Sequence, residues 1–291
     1  MSNKRMRVWV LAVSGVLMAI LSGCSPLKVL NALTPSSSFS KVSGIAYGSD
    51  PRQKLDIYQP KSAVPNAPVV VFFYGGSWNS GSREDYGFVG EALASRGMVV
   101  VLADYRLYPQ VRYPAFLQDG AQAVAWTYRH IADYGADPAR LYLMGHSSGA
   151  YNAAMLALDP NLLAAQGLSP ALIKGWIGLA GPYDFLPIAN QDVRPVFFYP
   201  DSPPDSQPIN HVSRGAPPAL LMASSKDSLV NPQRNTGGLA TTLRRAGVPV
   251  QEFYFSRTNH GTLVAALSRP LRGLAPVLDR VTEFVGATPA Q

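Results

Sequence analysis

The residues best suited to chemistry lie in one short run, Gly145-His146-Ser147-Ser148-Gly149, inside "LYLMGHSSGAYNAAMLAL". An apolar segment, Arg140–Met144, leads into it, and a helical pattern rich in small residues, Ser148–Leu158, leads out. The pattern is G-x-S-x-G between a strand and a helix, the setting in which a serine is held on a sharp, strained turn with its hydroxyl exposed. Glycine is needed two residues on either side because side chains there would collide. Standing alone the pattern is short, and either serine could instead cap a helix. The strand before it and the helix after it favour Ser147 as a nucleophile.

A serine hydroxyl attacks poorly until a base takes its proton. Four histidines are available. His130 falls in a helical pattern and reads as a surface residue. His146 sits inside the elbow, points away from the nucleophile and supports the site. His211 lies in a proline-rich stretch where it could line a pocket. His260, in "SRTNHGTL", follows an apolar run and precedes a helical one. Acid partners for a base lie among Asp184, Asp192, Asp201, Asp205 and Asp227.

These residues need a scaffold. Short apolar runs at Val42–Tyr47, Lys54–Tyr58, Val69–Tyr74, Met98–Asp104, Arg140–Met144, Gly175–Leu179, Ala219–Ala223 and Val250–Phe255 are the expected strands. "VVVFF" and "MVVVLA" are unbroken, as strands buried on both faces are. The first two alternate, as an antiparallel edge pair does. Helical patterns intervene at Tyr86–Ser95, Pro114–Tyr134, Ser148–Leu158, Gly238–Ala246 and Leu274–Val285. The alternation predicts an α/β sheet with right-handed crossovers, and such sheets gather ligands at the carboxyl ends of their strands. Gly181–Pro218 has many prolines and no periodicity, so it reads as a loop that could cap a pocket. Within it, Phe185, Phe197, Phe198 and Tyr199 suggest an apolar or aromatic substrate group, or simple packing of the loop.

Five stretches carry a family resemblance: "VVVFFYGGSW", "VVVLADYRLYPQVRYPAFLQD", "YGADPARLYLMGHSSGA", "LAGPYDF" and "NHG". In this order, from about residue 45 to 285, the chain resembles the α/β-hydrolase superfamily, in particular small esterases related to hormone-sensitive lipase and the carboxylesterases. The resemblance implies a three-layer fold with a mostly parallel eight-stranded sheet. It also implies a nucleophile, acid, base order of Ser, Asp, His. On it His260 is the base and Asp227, beyond the seventh strand, the better match for the acid; Asp184 in "GPYDF" is the competitor. The oxyanion donors would be the backbone N–H groups of Ser148 and of Gly75 and Gly76 after the third strand. Where the family usually has histidine before the glycine pair, this chain has Tyr74, which leaves open how the loop is braced. Asp104 and Arg106 are expected to pair or to bond backbone near the site, Asp119 to anchor its helix and Trp126 to lie in the core. Ester hydrolysis through an acyl-enzyme is the expected reaction. The same scaffold also carries amidases, arylformamidases and peptidases, and could persist as a non-catalytic, surface-tethered binding protein. No cofactor and no metal is expected.

At 291 residues, 47% hydrophobic and 15% charged, the chain can bury one large core. Its net charge of +7 is scattered beyond the first residues, which argues against a nucleic-acid partner. Residues 1–23 read as a signal peptide: Lys4, Arg5 and Arg7 precede an uncharged stretch, Val8–Leu21, short for a membrane span. It ends in "LSGC", which resembles the lipobox of bacterial lipoproteins with Cys24 as the lipidated residue. Loss of the three basic residues leaves +4. Cys24 is the single cysteine, so no internal disulfide is available. The expected organisation is a leader at 1–23, a flexible tether at 24–41 and a hydrolase domain at 42–287. The expected location is a bacterial membrane surface, the outer membrane if the source is Gram-negative.

Overall fold

The computed structural model describes residues 26–286. Its eight strands are β1 (Phe39–Ala46), β2 (Lys54–Pro60), β3 (Ala67–Phe73), β4 (Val99–Ala103), β5 (Ala136–His146), β6 (Ile173–Leu179), β7 (Ala219–Ser224) and β8 (Val250–Phe255). They form one sheet in the order β1-β2-β4-β3-β5-β6-β7-β8. β1 pairs antiparallel with β2, and β2 with β4; all other pairings are parallel. Every residue of β3, β4 and β7 is buried, which is why their sequences show no alternation.

Side chains along β3 and β5 divide the two layers. Phe73 meets the helix Ala115–His130 at Gly120, where Leu156 of the helix Ser148–Leu158 also packs. On the opposite face Tyr142, which pairs in register with Val70, sets its ring against Phe284 of the helix Val277–Val285. With one helical layer on each face, the last four residues of β5, Leu143–His146, are buried. Its carboxyl end can therefore hold a fixed geometry.

The stretch expected to be a flexible tether is partly folded. Pro26–Ala32 is a helix, Ser36–Ser38 a single 3-10 turn, and β1 already begins at Phe39. Two side chains dock it. Asn31 donates to the Glu84 carbonyl (2.6 Å) and accepts from the Phe88 N–H (3.0 Å), while Ser38 Oγ donates to the buried Glu91 carboxylate (2.9 Å). The leader and Cys24 lie outside the described residues.

Candidate active site

Ser147 follows the last residue of β5 and precedes the first of the helix Ser148–Leu158. Its backbone has φ 55° and ψ −124°, a strained conformation for a residue with a side chain. The flanking glycines have a steric reason. A Cβ at Gly145 would lie 2.1 Å from the Gly149 carbonyl oxygen, and one at Gly149 would lie 2.0 Å from that of Phe73.

From this elbow a hydrogen-bonded chain runs outward. Ser147 Oγ is 2.9 Å from His260 Nε2, and His260 Nδ1 is 2.7 Å from Asp227 Oδ2. Asp227 Oδ1 accepts from the N–H groups of Leu229 (2.9 Å) and Val230 (3.0 Å). Burial by itself would raise the Asp227 pKa. The bond to His260 and the two backbone donors outweigh it and hold the carboxyl below its usual range. Asp227 is thus a buried, ionised carboxylate with both oxygens committed. His260 opens the helix His260–Ala265, capped by Asn259 and Thr262, so its ring starts from a fixed backbone.

Asp184 is placed differently. Arg234 binds both its oxygens, at 3.0 and 3.1 Å, and it bonds no histidine. His146 Nε2 lies 3.0 Å from the His260 carbonyl oxygen, so an Nε2–H there donates to the backbone of the residue that touches Ser147. Burial, and then the neighbouring His260, lower the His146 pKa to about 3.

Gly75 and Gly76 lie beside the elbow for two separate reasons. A Cβ on Gly75 would come 3.0 Å from Ser147 Cβ, so its bareness permits close approach. Gly76 has φ +138°, and its carbonyl receives the N–H groups of Asn79 and Ser80, so it also turns the chain. Gly75, Gly76, Ser77 and Ser148 line the same cavity as Ser147 and His260. Among the described residues, nothing accepts the N–H of Gly76, Ser77 or Ser148.

Tyr74 finds its brace in Arg52, a residue of the β1–β2 turn that sequence reading did not single out. Arg52 Nη2 donates to the Tyr74 hydroxyl (2.7 Å) and to the Gly81 carbonyl (2.9 Å), and its Nε donates to the Tyr105 carbonyl (3.0 Å). Tyr105 stacks on Tyr74 at 4.7 Å and returns its own hydroxyl to the Tyr74 carbonyl (2.8 Å). Burial, against the pull of Arg52, raises the Tyr74 pKa, so the ring stays neutral. Trp78 closes the loop from the other side by donating to Asn152 on the elbow helix (3.0 Å).

Other expectations are corrected. Asp104 does bond backbone, accepting the Arg83 N–H (2.7 Å), but its ion pair is with Arg83 and that of Arg106 is with Asp119, not with each other. His211 bonds the Asp205 carbonyl and does not line the cavity. Of the four loop aromatics only Phe185 lines it. Phe197 is buried against Trp78, Phe116 and Tyr151, while Phe198 and Tyr199 face solvent. Trp126 is only half-buried, with its ring against His130. The irregular connection does wall the site. Pro182, Asp184, Phe185, Ile188 and Val193 form one side of a cavity of about 650 Å³.

A mostly parallel sheet of this order, with a serine on a strand-to-helix elbow and a histidine and an aspartate after the last two strands, defines an α/β-hydrolase. The chain belongs to the BD-FAE family, whose model matches residues 55–241. It is similar to a probable isoprenylcysteine alpha-carbonyl methylesterase of Arabidopsis thaliana. The two are 30% identical over 251 residues, 79% of this chain and 52% of that protein. Esterase LipC of Mycobacterium tuberculosis is 31% identical over 205 residues, 64% of this chain and 51% of that protein. The chain thus spans about half the length of these two curated relatives. Among solved structures, Thermogutta terrifontis esterase 2 phosphonylated by sarin has a TM-score of 0.72 at 24% identity, over 87% of this chain and 95% of that one.

Proposed function

We propose that the protein is a carboxylic ester hydrolase that works through an acyl-enzyme on Ser147. The observation that carries the reading is the unbroken relay Asp227–His260–Ser147, with both hydrogen bonds under 3 Å. His260 Nε2 takes the Ser147 proton as Oγ bonds to the ester carbonyl carbon. The negative charge arising on the carbonyl oxygen meets the backbone N–H groups of Gly76, Ser77 and Ser148, which no other group accepts among the described residues, rather than that of Gly75, which faces the Tyr86 hydroxyl. One such donor is worth roughly 100- to 1000-fold in rate. The carbon–alkoxy bond then breaks, and the alcohol leaves with the proton from His260. Water, deprotonated by the same nitrogen, attacks the acyl carbon and returns Ser147 as the acid departs. Asp227 keeps the His260 proton on Nδ1 and offsets the positive charge of the doubly protonated ring. No cofactor enters any step.

The test is turnover of p-nitrophenyl butyrate together with labelling by a fluorophosphonate probe, wild type against Ser147→Ala. Rapid turnover and labelling of wild type alone support the reading. Labelling without ester turnover, but with cleavage of an anilide or formanilide, transfers the site to amide chemistry. Neither turnover nor labelling leaves a non-catalytic binding protein.

We infer further that the chain is exported and anchored to a membrane through lipid on Cys24. Support comes from the basic start, the short apolar stretch and "LSGC". Mass spectrometry of the mature protein checks it: acyl chains on an N-terminal Cys24 are expected. An unmodified cysteine overturns it.

A further inference from the structure

The N-terminal helix ends up at an informative place. Leu27, in its first turn, packs on the core and lines the cavity that holds Ser147. The helix is fastened there by Asn31 against residues 84 and 88, next to the cavity residues Asp85 and Tyr86. Leu229, two residues after Asp227, also lines the cavity and is 75% exposed, the most exposed large apolar side chain among the described residues. Pro187 and Ala189 line it from the irregular connection and are exposed as well. Asp184 and Arg234 are paired at this wall, which leaves Asp85 as the acidic side chain lining the cavity without an ion pair among the described residues. Leu27, Pro187, Ala189 and Leu229 give the entrance an apolar rim contributed by three distant parts of the chain.

Chain length then fixes where the rim can be. Three peptide units separate Cys24 from Leu27, so their Cα atoms lie within about 11 Å of each other at full extension. The headgroup layer of a bilayer is only about 5–8 Å thick on each side. A lipid on Cys24 thus keeps the Leu27 side of the entrance close to the headgroups, and burial of the apolar rim favours the orientation in which the entrance faces them.

Resting on the anchored-esterase reading, we propose that the rim of Leu27, Pro187, Ala189 and Leu229 is seated on the lipid surface that holds Cys24. The ester it takes is one whose hydrocarbon part resides in that surface. Such a substrate moves sideways into an apolar mouth without crossing water, so its chain is never desolvated anew. The cavity of about 650 Å³ admits the ester group and one chain of moderate size.

Two measurements on the full-length, lipidated protein in phosphatidylethanolamine–phosphatidylglycerol vesicles test this. First, Leu229→Cys gives a single free thiol once Cys24 is acylated. A nitroxide placed there should be relaxed by oxygen and shielded from a water-soluble nickel chelate. A nitroxide at Tyr128→Cys, 39% exposed in the native chain and outside the cavity, should behave the opposite way. Second, a 20-residue Gly/Ser insertion after Ser25, with a reach of about 25 Å, should cut turnover of a vesicle-embedded long-chain ester at least tenfold. Turnover of a water-soluble short ester should stay within twofold. Undiminished turnover of the embedded ester, or a nickel-exposed label at position 229 on a chain whose Cys24 carries lipid, overturns the proposal and leaves the esterase reading standing. A chain with bare Cys24 overturns both anchor and proposal, again without touching the esterase reading.

Discussion

Arg52 donates to the Tyr74 hydroxyl at 2.7 Å, and the same nitrogen holds the Gly81 carbonyl at 2.9 Å. One guanidinium therefore clasps both ends of the loop that carries Gly75 and Gly76. Donors for an oxyanion act on charge that exists only in the transition state. Arg52→Ala should accordingly lower kcat about 10- to 100-fold with KM nearly unchanged, and cost about 1–3 kcal/mol of stability. Tyr74→Phe, which removes one of several bonds, should cost roughly 1 kcal/mol. Steady-state kinetics on p-nitrophenyl butyrate decide: a KM effect with intact kcat would assign Arg52 to substrate binding instead.

Asp227 and Asp184 both follow strands, and their bonding separates them. Asp227→Asn should lose about 10⁴ in kcat, because an amide no longer holds the proton on His260 Nδ1. Asp184→Asn weakens only the contact with Arg234 and should change kcat less than tenfold. The reverse ranking in the same assay would move the acid to Asp184.

The elbow glycines should tolerate nothing larger. In Gly149→Ala the new methyl would sit 2.0 Å from a backbone oxygen of β3 that cannot move alone. A loss of more than about 3 kcal/mol is expected, or failure to fold. Urea unfolding measures it. Gly135→Ala, where no atom lies within 4 Å but φ is +80°, should cost only the smaller backbone strain.

His146 predicts a pH dependence of stability. Its folded pKa, about 3, lies below the ordinary 6.5. Between these values the unfolded chain binds a proton that the native one refuses. Its contribution to stability is therefore complete above about pH 6.5 and drains away as the pH falls toward about 3, by an amount on the order of a few kcal/mol. Gln can still donate to the His260 carbonyl but does not titrate. The Tm of His146→Gln should then fall less steeply than that of wild type over this range. Parallel curves in scanning calorimetry would refute the assignment.

The six inner strands, β2 to β7, could be read from the chain because burial leaves a local mark, whereas the edge strands β1 and β8 contain no buried residue and were legible only as short alternating or aromatic runs between turns. The helix Ser148–Leu158 matches its expected limits because a fixed elbow starts it. β5 begins four residues before its expected start, at Ala136, where Asp137, Pro138 and Arg140 break the apolar run. The helix Pro26–Ala32 was hidden for another reason. Seven residues are too few to be helical by propensity, and contacts with residues 84 and 88 hold it. The nucleophile and base were visible through their motifs. Arg52 was not, since it meets Tyr74 across 22 residues and nothing local in "DPRQK" announces a partner. Phe197 and Phe198 show the same limit: adjacent identical residues, one in the core and one in solvent.

The match to the family runs from residue 55 to 241, yet Arg52 lies before it and His260 after it. The recognisable stretch is thus not a transplantable unit. Cut out and expressed, residues 55–241 would carry the nucleophile without its base and the glycine loop without its clasp. What travels as a module here is the whole sheet, from the edge hairpin to the turn after β8.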